Sequence, residues 1–266
     1  MSSTGDFRNR WALVTGASAG IGVALARELA SLGAKLILTA RRRDRLDALA
    51  AELRGRGCEV VTVAADLNDP AAPRQIYDAT EGKGIEVDIL INNAGLGLYG
   101  ALHTNPMEQE LGQIRVNCEA MVGVARLFVS RMVERGRGWV LITASTASFQ
   151  PVPYMSTYAA TKAFDRFFAL GLAQEVARYG VKVTALCPGA TESEFFDVAH
   201  AGIFRKRGVQ PAEEVAKLGL AAMARGQRTL VPNLSGRMTA FVVRFVPVGV
   251  ITYFVEKMAK PDASPR

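Results

Sequence analysis

Tyr158 and Lys162 stand four residues apart in the stretch Ser156-Thr157-Tyr158-Ala159-Ala160-Thr161-Lys162-Ala163. On a helix this spacing puts phenol and ammonium on one face, one turn apart. A free tyrosine, with a pKa near ~10, exchanges protons poorly at neutral pH. A close ammonium stabilises the phenolate and lowers that pKa. The pair therefore reads as a phenol tuned for proton transfer. Helices also carry Tyr and Lys at this spacing by chance, so the rest of the chain decides what the pair means.

A glycine-rich turn supplies the next constraint. Thr15-Gly16-Ala17-Ser18-Ala19-Gly20-Ile21-Gly22 follows an apolar run at 11–15 and precedes a helical pattern at 21–32. Gly16 permits a tight turn, Gly20 lets a pyrophosphate approach the backbone, and Gly22 lets the helix pack closely on a sheet. The helix N-terminus then offers free N–H groups and a positive dipole end to phosphate. Gly16, Ser18, Ala19, Gly20, Ile21 and Gly22 are thus candidate dinucleotide contacts. The end of the second apolar run selects the dinucleotide. An acidic residue there would bind a ribose 2′-hydroxyl, but the chain reads Thr39-Ala40-Arg41-Arg42. Two guanidiniums suit a phosphate dianion, so Arg41 and Arg42 predict NADP(H) over NAD(H). Asp66, followed by Leu67, is placed to accept from the adenine amino group, with a turn or cap role as the competing reading.

These side chains need a sheet to hold them. Apolar runs at 11–15, 35–39, 59–64, 88–92, 139–143 and 181–187 are mostly continuous, the mark of strands buried on both faces of a parallel sheet. Helical patterns at 21–32, 43–56, 106–135, 156–179 and 211–225 lie between and after them. Strand and helix alternation of this kind predicts an α/β, doubly wound parallel sheet in a single domain over 1–266. The stretch 189–210 reads as a substrate loop or lid, and 232–266 as an apolar C-terminal extension.

Composition narrows the function classes. A chain of 266 residues with 49% hydrophobic and 21% charged content is not disordered. The net charge of +7 draws on basic runs at Arg41-Arg42-Arg43 and Arg205-Lys206-Arg207. No zinc-finger or RNP signature accompanies them, so nucleic acid is not an expected partner. Cys58, Cys118 and Cys187 are far apart and odd in number, which speaks against a disulfide framework or zinc site and fits a reducing cytoplasm. The N-terminus lacks an apolar signal region. The apolar segment 238–258 is interrupted by Arg244, Pro247 and Gly249. Its uncharged part, 245–255, falls short of the ~20 residues that span a bilayer. A pocket wall or subunit interface is the leading reading, and dipping into a membrane surface the lesser one.

Three motifs occur together: Thr-Gly-x-x-x-Gly-x-Gly, then Asn92-Asn93-Ala94-Gly95, then Tyr-x-x-x-Lys. In this order the chain, from 11 to 231, resembles the short-chain dehydrogenase/reductase family. The resemblance implies a Rossmann-like sheet of about seven strands with helices on both faces. It implies Tyr158 as general acid, Lys162 as the residue that lowers its pKa and holds the nicotinamide ribose, and Ser145 as donor to the substrate carbonyl. Asn117 matches the asparagine that anchors a water in the proton relay. Asn93, Ala94, Gly95, Pro188, Gly189, Thr191 and Ser193 fall in the family's cofactor-binding motifs, with Ser193 where the family has Thr. Family members pair through two long helices, here 106–135 and 156–179, which implies a homodimer or homotetramer.

The short Tyr–Lys spacing favours carbonyl reduction or alcohol oxidation over enoyl reduction in this family. Leu96, Leu98, Tyr99, Phe149, Val152, Tyr154, Phe195 and Phe196, with Pro151 and Pro153, are expected to line the substrate pocket. Their apolar character predicts an apolar ketone or aldehyde. The resemblance to the branch of the family with an added hydrophobic C-terminal segment implies a lipid-, steroid- or acyl-like one. Two other classes compete. A non-catalytic NADP-binding regulator would be expected to lose the Tyr or Lys, and this chain keeps all four positions. A nucleic-acid or membrane-surface binder rests on charge alone.

Overall fold

The computed structural model describes residues 7–202 and 209–260. Seven strands form its centre: β1 (Trp11–Thr15), β2 (Lys35–Ala40), β3 (Val60–Ala64), β4 (Val87–Asn92), β5 (Gly138–Thr143), β6 (Val181–Leu186) and β7 (Thr229–Leu230). They pair in parallel in the order β3-β2-β1-β4-β5-β6-β7. The order reverses between β1 and β4, so the chain leaves a crevice beyond their carboxyl ends. Leu13 of β1 pairs with Ile37 on one side and Leu90 on the other, and all six residues of β4 are buried. Continuous apolar runs form these strands because helices cover both faces.

One face carries α1 (Gly20–Ser31), α2 (Arg43–Gly55) and α8 (Ala212–Arg225), packed through Leu25, Leu46 and Leu220. The other carries α3 (Ala72–Ala79), α5 (Met121–Arg135) and α6 (Ser156–Val176), packed through Ile76, Phe128 and Ala169. The α/β, doubly wound, Rossmann-like architecture expected from the sequence is the observed one.

Several boundaries differ from the sequence expectation. The helix expected over 106–135 is α4 (Met107–Ile114), a π-helical turn over Arg115–Ala120, then α5. Asn117 lies in that wide turn, and such turns are often placed at functional sites. The helix expected over 156–179 is α6, followed by a 3-10 turn over Ala177–Tyr179. The loop after β6 contains the short α7 (Phe195–Val198). Part of the expected lid, 203–208, lies outside the described residues, as does the basic run at Arg205-Lys206-Arg207.

The C-terminal extension forms α9 (Leu234–Val242) and α10 (Val248–Ala259). Ile251 and Val255 of α10 pack with Val152, Met155 and Phe196 in a third apolar cluster. Val248, Tyr253 and Phe254 of the same helix are exposed. Among the described residues no helix is long and apolar enough to cross a membrane.

Candidate active site

The crevice begins where β1 and β4 are tied together. The Thr15 hydroxyl accepts from the backbone N–H of Asn93 at 2.9 Å and of Ala94 at 3.0 Å. The Asn93 amide donates to the Thr15 carbonyl at 3.1 Å. This lattice sets the Asn-Asn-Ala-Gly segment against the glycine turn. Thr15 opens the glycine motif, but its contacts are not legible in the sequence, because a strand-end threonine looks like any other β-branched strand residue.

At this point a cavity of about 570 Å³ opens. Gly16, Ser18, Ala19, Gly20 and Ile21 line it at the turn. Gly22 stands behind: a Cβ there would lie 2.2 Å from the Gly16 carbonyl oxygen, so α1 could not start with any side chain at this position. Gly20 leaves room for Ser193, whose Cβ would lie 2.6 Å from an added Cβ. Ser193 thus brings the loop after β6 down onto the turn.

Arg41, Arg42, Asp66 and Leu67 line one end of the cavity. Arg42 donates to the Ser18 hydroxyl at 3.1 Å through Nη2 and to Glu194 Oε2 at 2.8 Å through Nη1. Arg45 pairs with the other Glu194 oxygen. The hydrogen bonds from Arg42, then Arg45, hold the Glu194 carboxyl below the ordinary carboxylate range. Arg41 is more loosely held, with its Nε 4.0 Å from Asp66. Asp66 accepts from the Asn68 N–H at 3.0 Å, so it closes a turn as well as facing the cavity. The chain carries no carboxylate at residues 40–43, and the donors that β2 delivers are cationic, a set that fits a phosphate once Arg42 releases Glu194.

Ser145, Tyr158 and Lys162 line the other end. Ser145 starts a short 3-10 turn, Thr146–Phe149, and accepts from the Ala147 N–H at 3.1 Å. Burial pushes the Tyr158 phenol up, while the Lys162 charge and the Ser145 hydroxyl pull it down and Asp165 pushes it up again. Lys162 donates to the Thr143 carbonyl at 2.8 Å and to Asp165 Oδ2 at 2.9 Å. Burial alone would lower the Lys162 ammonium, but the charges of Asp165 and Tyr158 outweigh it and raise its pKa. Asn117 is buried behind the cavity wall. Its side chain accepts from the Leu96 N–H at 2.8 Å and donates to the Leu96 carbonyl and the Thr161 hydroxyl, each at 2.9 Å. It therefore fixes the strand-end loop against α6.

Ala94, Gly95, Asn93, Pro188, Gly189, Thr191 and Ser193 all line the same cavity. The Thr191 hydroxyl donates to the Gly189 carbonyl at 3.1 Å, which shapes the turn after β6.

The expected apolar pocket divides. Leu96, Val152, Phe195 and Phe196 line the cavity. Leu98, Tyr99, Phe149 and Tyr154 do not, and neither do Pro151 and Pro153. Leu98 is buried. The Tyr99 hydroxyl donates to the Ala259 carbonyl at 2.7 Å, which pins the end of α10, and its ring centroid lies 6.4 Å from that of Tyr154. Phe149 sits under the Arg166 guanidinium, 4.4 Å from the ring centroid. Their places are taken by Met155, Val198, Thr239, Val255 and Met258, mostly from the C-terminal helices. Apolar character alone does not separate pocket from core, and the pocket's far wall is remote in sequence.

Comparison with known proteins agrees with this architecture. The short chain dehydrogenase family model matches residues 10–202. The chain belongs to the short-chain dehydrogenase/reductase family, a class of nicotinamide-dependent oxidoreductases acting on hydroxyl and carbonyl groups. It is 36% identical over 239 residues to a 1-deoxy-11-beta-hydroxypentalenate dehydrogenase from Streptomyces exfoliatus, covering 87% of this chain and 86% of that one. It is 36% identical over 198 residues to the NADP-dependent 3-hydroxy acid dehydrogenase YdfG of Salmonella typhi, covering 74% and 79%. Among solved structures, a short-chain dehydrogenase from Sphingobium yanoikuyae in complex with NADPH superposes with a TM-score of 0.79 at 32% identity, covering 96% and 98%.

Proposed function

We propose that the chain is an NADP(H)-dependent oxidoreductase that interconverts an apolar ketone or aldehyde with its alcohol, with reduction the favoured direction. One observation carries this reading: a single cavity takes in Arg41 and Arg42 at one end and Ser145, Tyr158 and Lys162 at the other. A nicotinamide cofactor held between Arg41 and Lys162 would supply the hydride for the carbonyl carbon. Tyr158 gives its proton to the carbonyl oxygen, and Ser145 donates a hydrogen bond to the same oxygen as charge develops on it. Lys162 holds the nicotinamide ribose and favours the phenolate. Asn117 holds the loop at Leu96 and, as the family resemblance implies, anchors a water in the relay that returns a proton to Tyr158. Arg41 and Arg42 take the 2′-phosphate, and the NADP dependence of the Salmonella relative and the NADPH complex from Sphingobium support that choice.

An apolar substrate is supported by Val152, Met155, Phe195 and Phe196, which pack in one cluster with Tyr158, and by Leu96 and Met258 in the lining of the same cavity. A homodimer or homotetramer through α4–α5 and α6 belongs to the same reading, since Leu111, Ile114, Phe164 and Phe167 are exposed on those helices. NADPH consumption over a panel of alkyl and aryl ketones, aldehydes and charged keto acids tests the function. Turnover of the apolar carbonyls is expected, lost in Tyr158→Phe while NADPH still binds. Faster turnover of the small charged acids would overturn the substrate class. Retained turnover in Tyr158→Phe would overturn the role of the tyrosine.

A further inference from the structure

Asp165 lies beneath the reacting pair, one turn beyond Lys162 on α6. Its side chain is 2% exposed, and that of Lys162 6%. Oδ2 accepts from the Lys162 ammonium at 2.9 Å, while Oδ1 is buried and has no hydrogen-bond partner among the described residues. A carboxylate costs several kcal/mol to bury, roughly, even when paired. Among the described residues the carboxylate makes no hydrogen bond to the backbone, and its one partner is the Lys162 ammonium.

The carboxylate therefore acts on its neighbour. Lys162 has three N–H donors. One goes to the Thr143 carbonyl at 2.8 Å and one to Asp165. Two fixed bonds leave the ammonium one direction, and Lys162 lines the cavity. The charge also matters. Lys162 alone would present a full positive charge to Tyr158 in a poorly screened site. With Asp165 in contact, the pair presents close to zero net charge.

We propose that Asp165 is a positioning residue of the proton-transfer site: it fixes the Lys162 ammonium and cancels part of its field at Tyr158, which keeps Tyr158 a phenol, and so a proton donor, through neutral pH. The proposal rests on the reading of Tyr158 as general acid. Protonating Asp165 instead would place an O–H on a buried oxygen without an acceptor, or unpair a buried ammonium, and both are costly. Other titratable groups around the pair are Cys118 in the π-helical turn, Cys187 after β6 and Arg166 on α6. Burial pushes the Cys118 and Cys187 thiols up to about 11, so both are neutral where Tyr158 works. Arg166 is turned to Phe149. Burial is the main cause that pushes the Tyr158 phenol up, and the Asp165 charge adds to it; against the burial of Lys162, the same charge is the largest cause that raises its ammonium.

The test is the pH profile of kcat/KM in both directions, for the wild type, Asp165→Asn and Asp165→Leu. Proton donation by a phenol makes reduction fall, and oxidation rise, as pH passes the apparent pKa of Tyr158. Removing the carboxylate charge is expected to lower that apparent pKa by about one unit or more, by the same amount in both directions. Oxidation at neutral pH then gains roughly tenfold relative to its alkaline plateau. An unchanged or raised apparent pKa would overturn the proposal, as would failure of both variants to fold, which would leave Asp165 a structural role alone. Tyr158→Phe is run beside them. If it keeps wild-type turnover, the reading of Tyr158 fails; if it is inactive and the Asp165 variants keep the wild-type profile, the Asp165 proposal alone fails.

Discussion

Arg42 donates to the Glu194 carboxylate at 2.8 Å, joining the end of β2 to the loop that follows β6. The contact puts an anion on a guanidinium that we propose for the 2′-phosphate. Glu194 and the phosphate would compete for Arg42 and would repel each other. Glu194→Gln is therefore expected to tighten NADPH binding by roughly two- to fivefold, the range for an exposed ion pair. NADH binding should change little. Fluorescence titration with both cofactors checks this, and the gain for NADPH should shrink as salt is raised.

Arg41 and Arg42 can be separated in the same way. Charge-assisted hydrogen bonds are worth about 1.5–3 kcal/mol each, or roughly ten- to a hundredfold in affinity. Arg41 is more than half exposed, and its nearest carboxylate is 4.0 Å away, so it can turn to the phosphate without breaking a close contact. Arg42 must release Glu194. The larger NADPH loss is thus expected in Arg41→Ala, with NADH affinity nearly unchanged in both variants. Equal losses for NADPH and NADH would show that neither guanidinium reads the phosphate.

Phe195 defines the space beside Tyr158. Its ring centroid lies 5.2 Å from that of Tyr158, and a Cβ added at Gly97 would meet its Cζ at 2.4 Å. Gly97→Ala must therefore displace the Phe195 ring. The expected effect is a severalfold change in KM for the carbonyl substrate, with the NADPH dissociation constant little altered, because Gly97 is past the Asn-Asn-Ala-Gly segment. Steady-state kinetics beside a cofactor titration separate the two.

What could be read in the sequence follows from what is local. The strands are legible because buried parallel strands are continuous apolar runs, and β1 (Trp11–Thr15) needs no adjustment. The glycine turn and the Tyr158–Lys162 spacing are local too. The π-helical turn around Asn117 leaves no periodic trace, since one wider turn barely shifts the helical pattern. Asp165 stands three residues after Lys162 in plain view, but its burial and its unpaired oxygen depend on Thr143 and the sheet beneath. Glu194 reaches Arg42 from 152 positions away. Tyr99 and Phe149 show the converse: their aromatic character suggested a pocket, and packing against Ala259 and Arg166 took them elsewhere.

The buried Lys162–Asp165 pair also makes a prediction about stability. The raised Lys162 pKa is a gain in the fold: it is fully present below the unfolded value of ~10.4 and is lost only as pH rises through the raised value. Asp165 has the opposite sign. Burial raises its carboxyl despite Lys162, so ionising it costs stability once pH passes the unfolded value of ~3.9. The two contributions oppose at neutral pH. Breaking the pair is costly: Lys162→Met leaves the carboxylate buried and alone, at about 3–5 kcal/mol. Acid should reduce that deficit, because Asp165 then accepts a proton. Combining Lys162→Met with Asp165→Leu removes both charges and should restore most of the stability while the enzyme stays inactive. Urea unfolding of the three proteins at neutral and mildly acidic pH reads each step. A Lys162→Met variant as stable as the wild type at neutral pH would mean that Asp165 is not held ionised by Lys162.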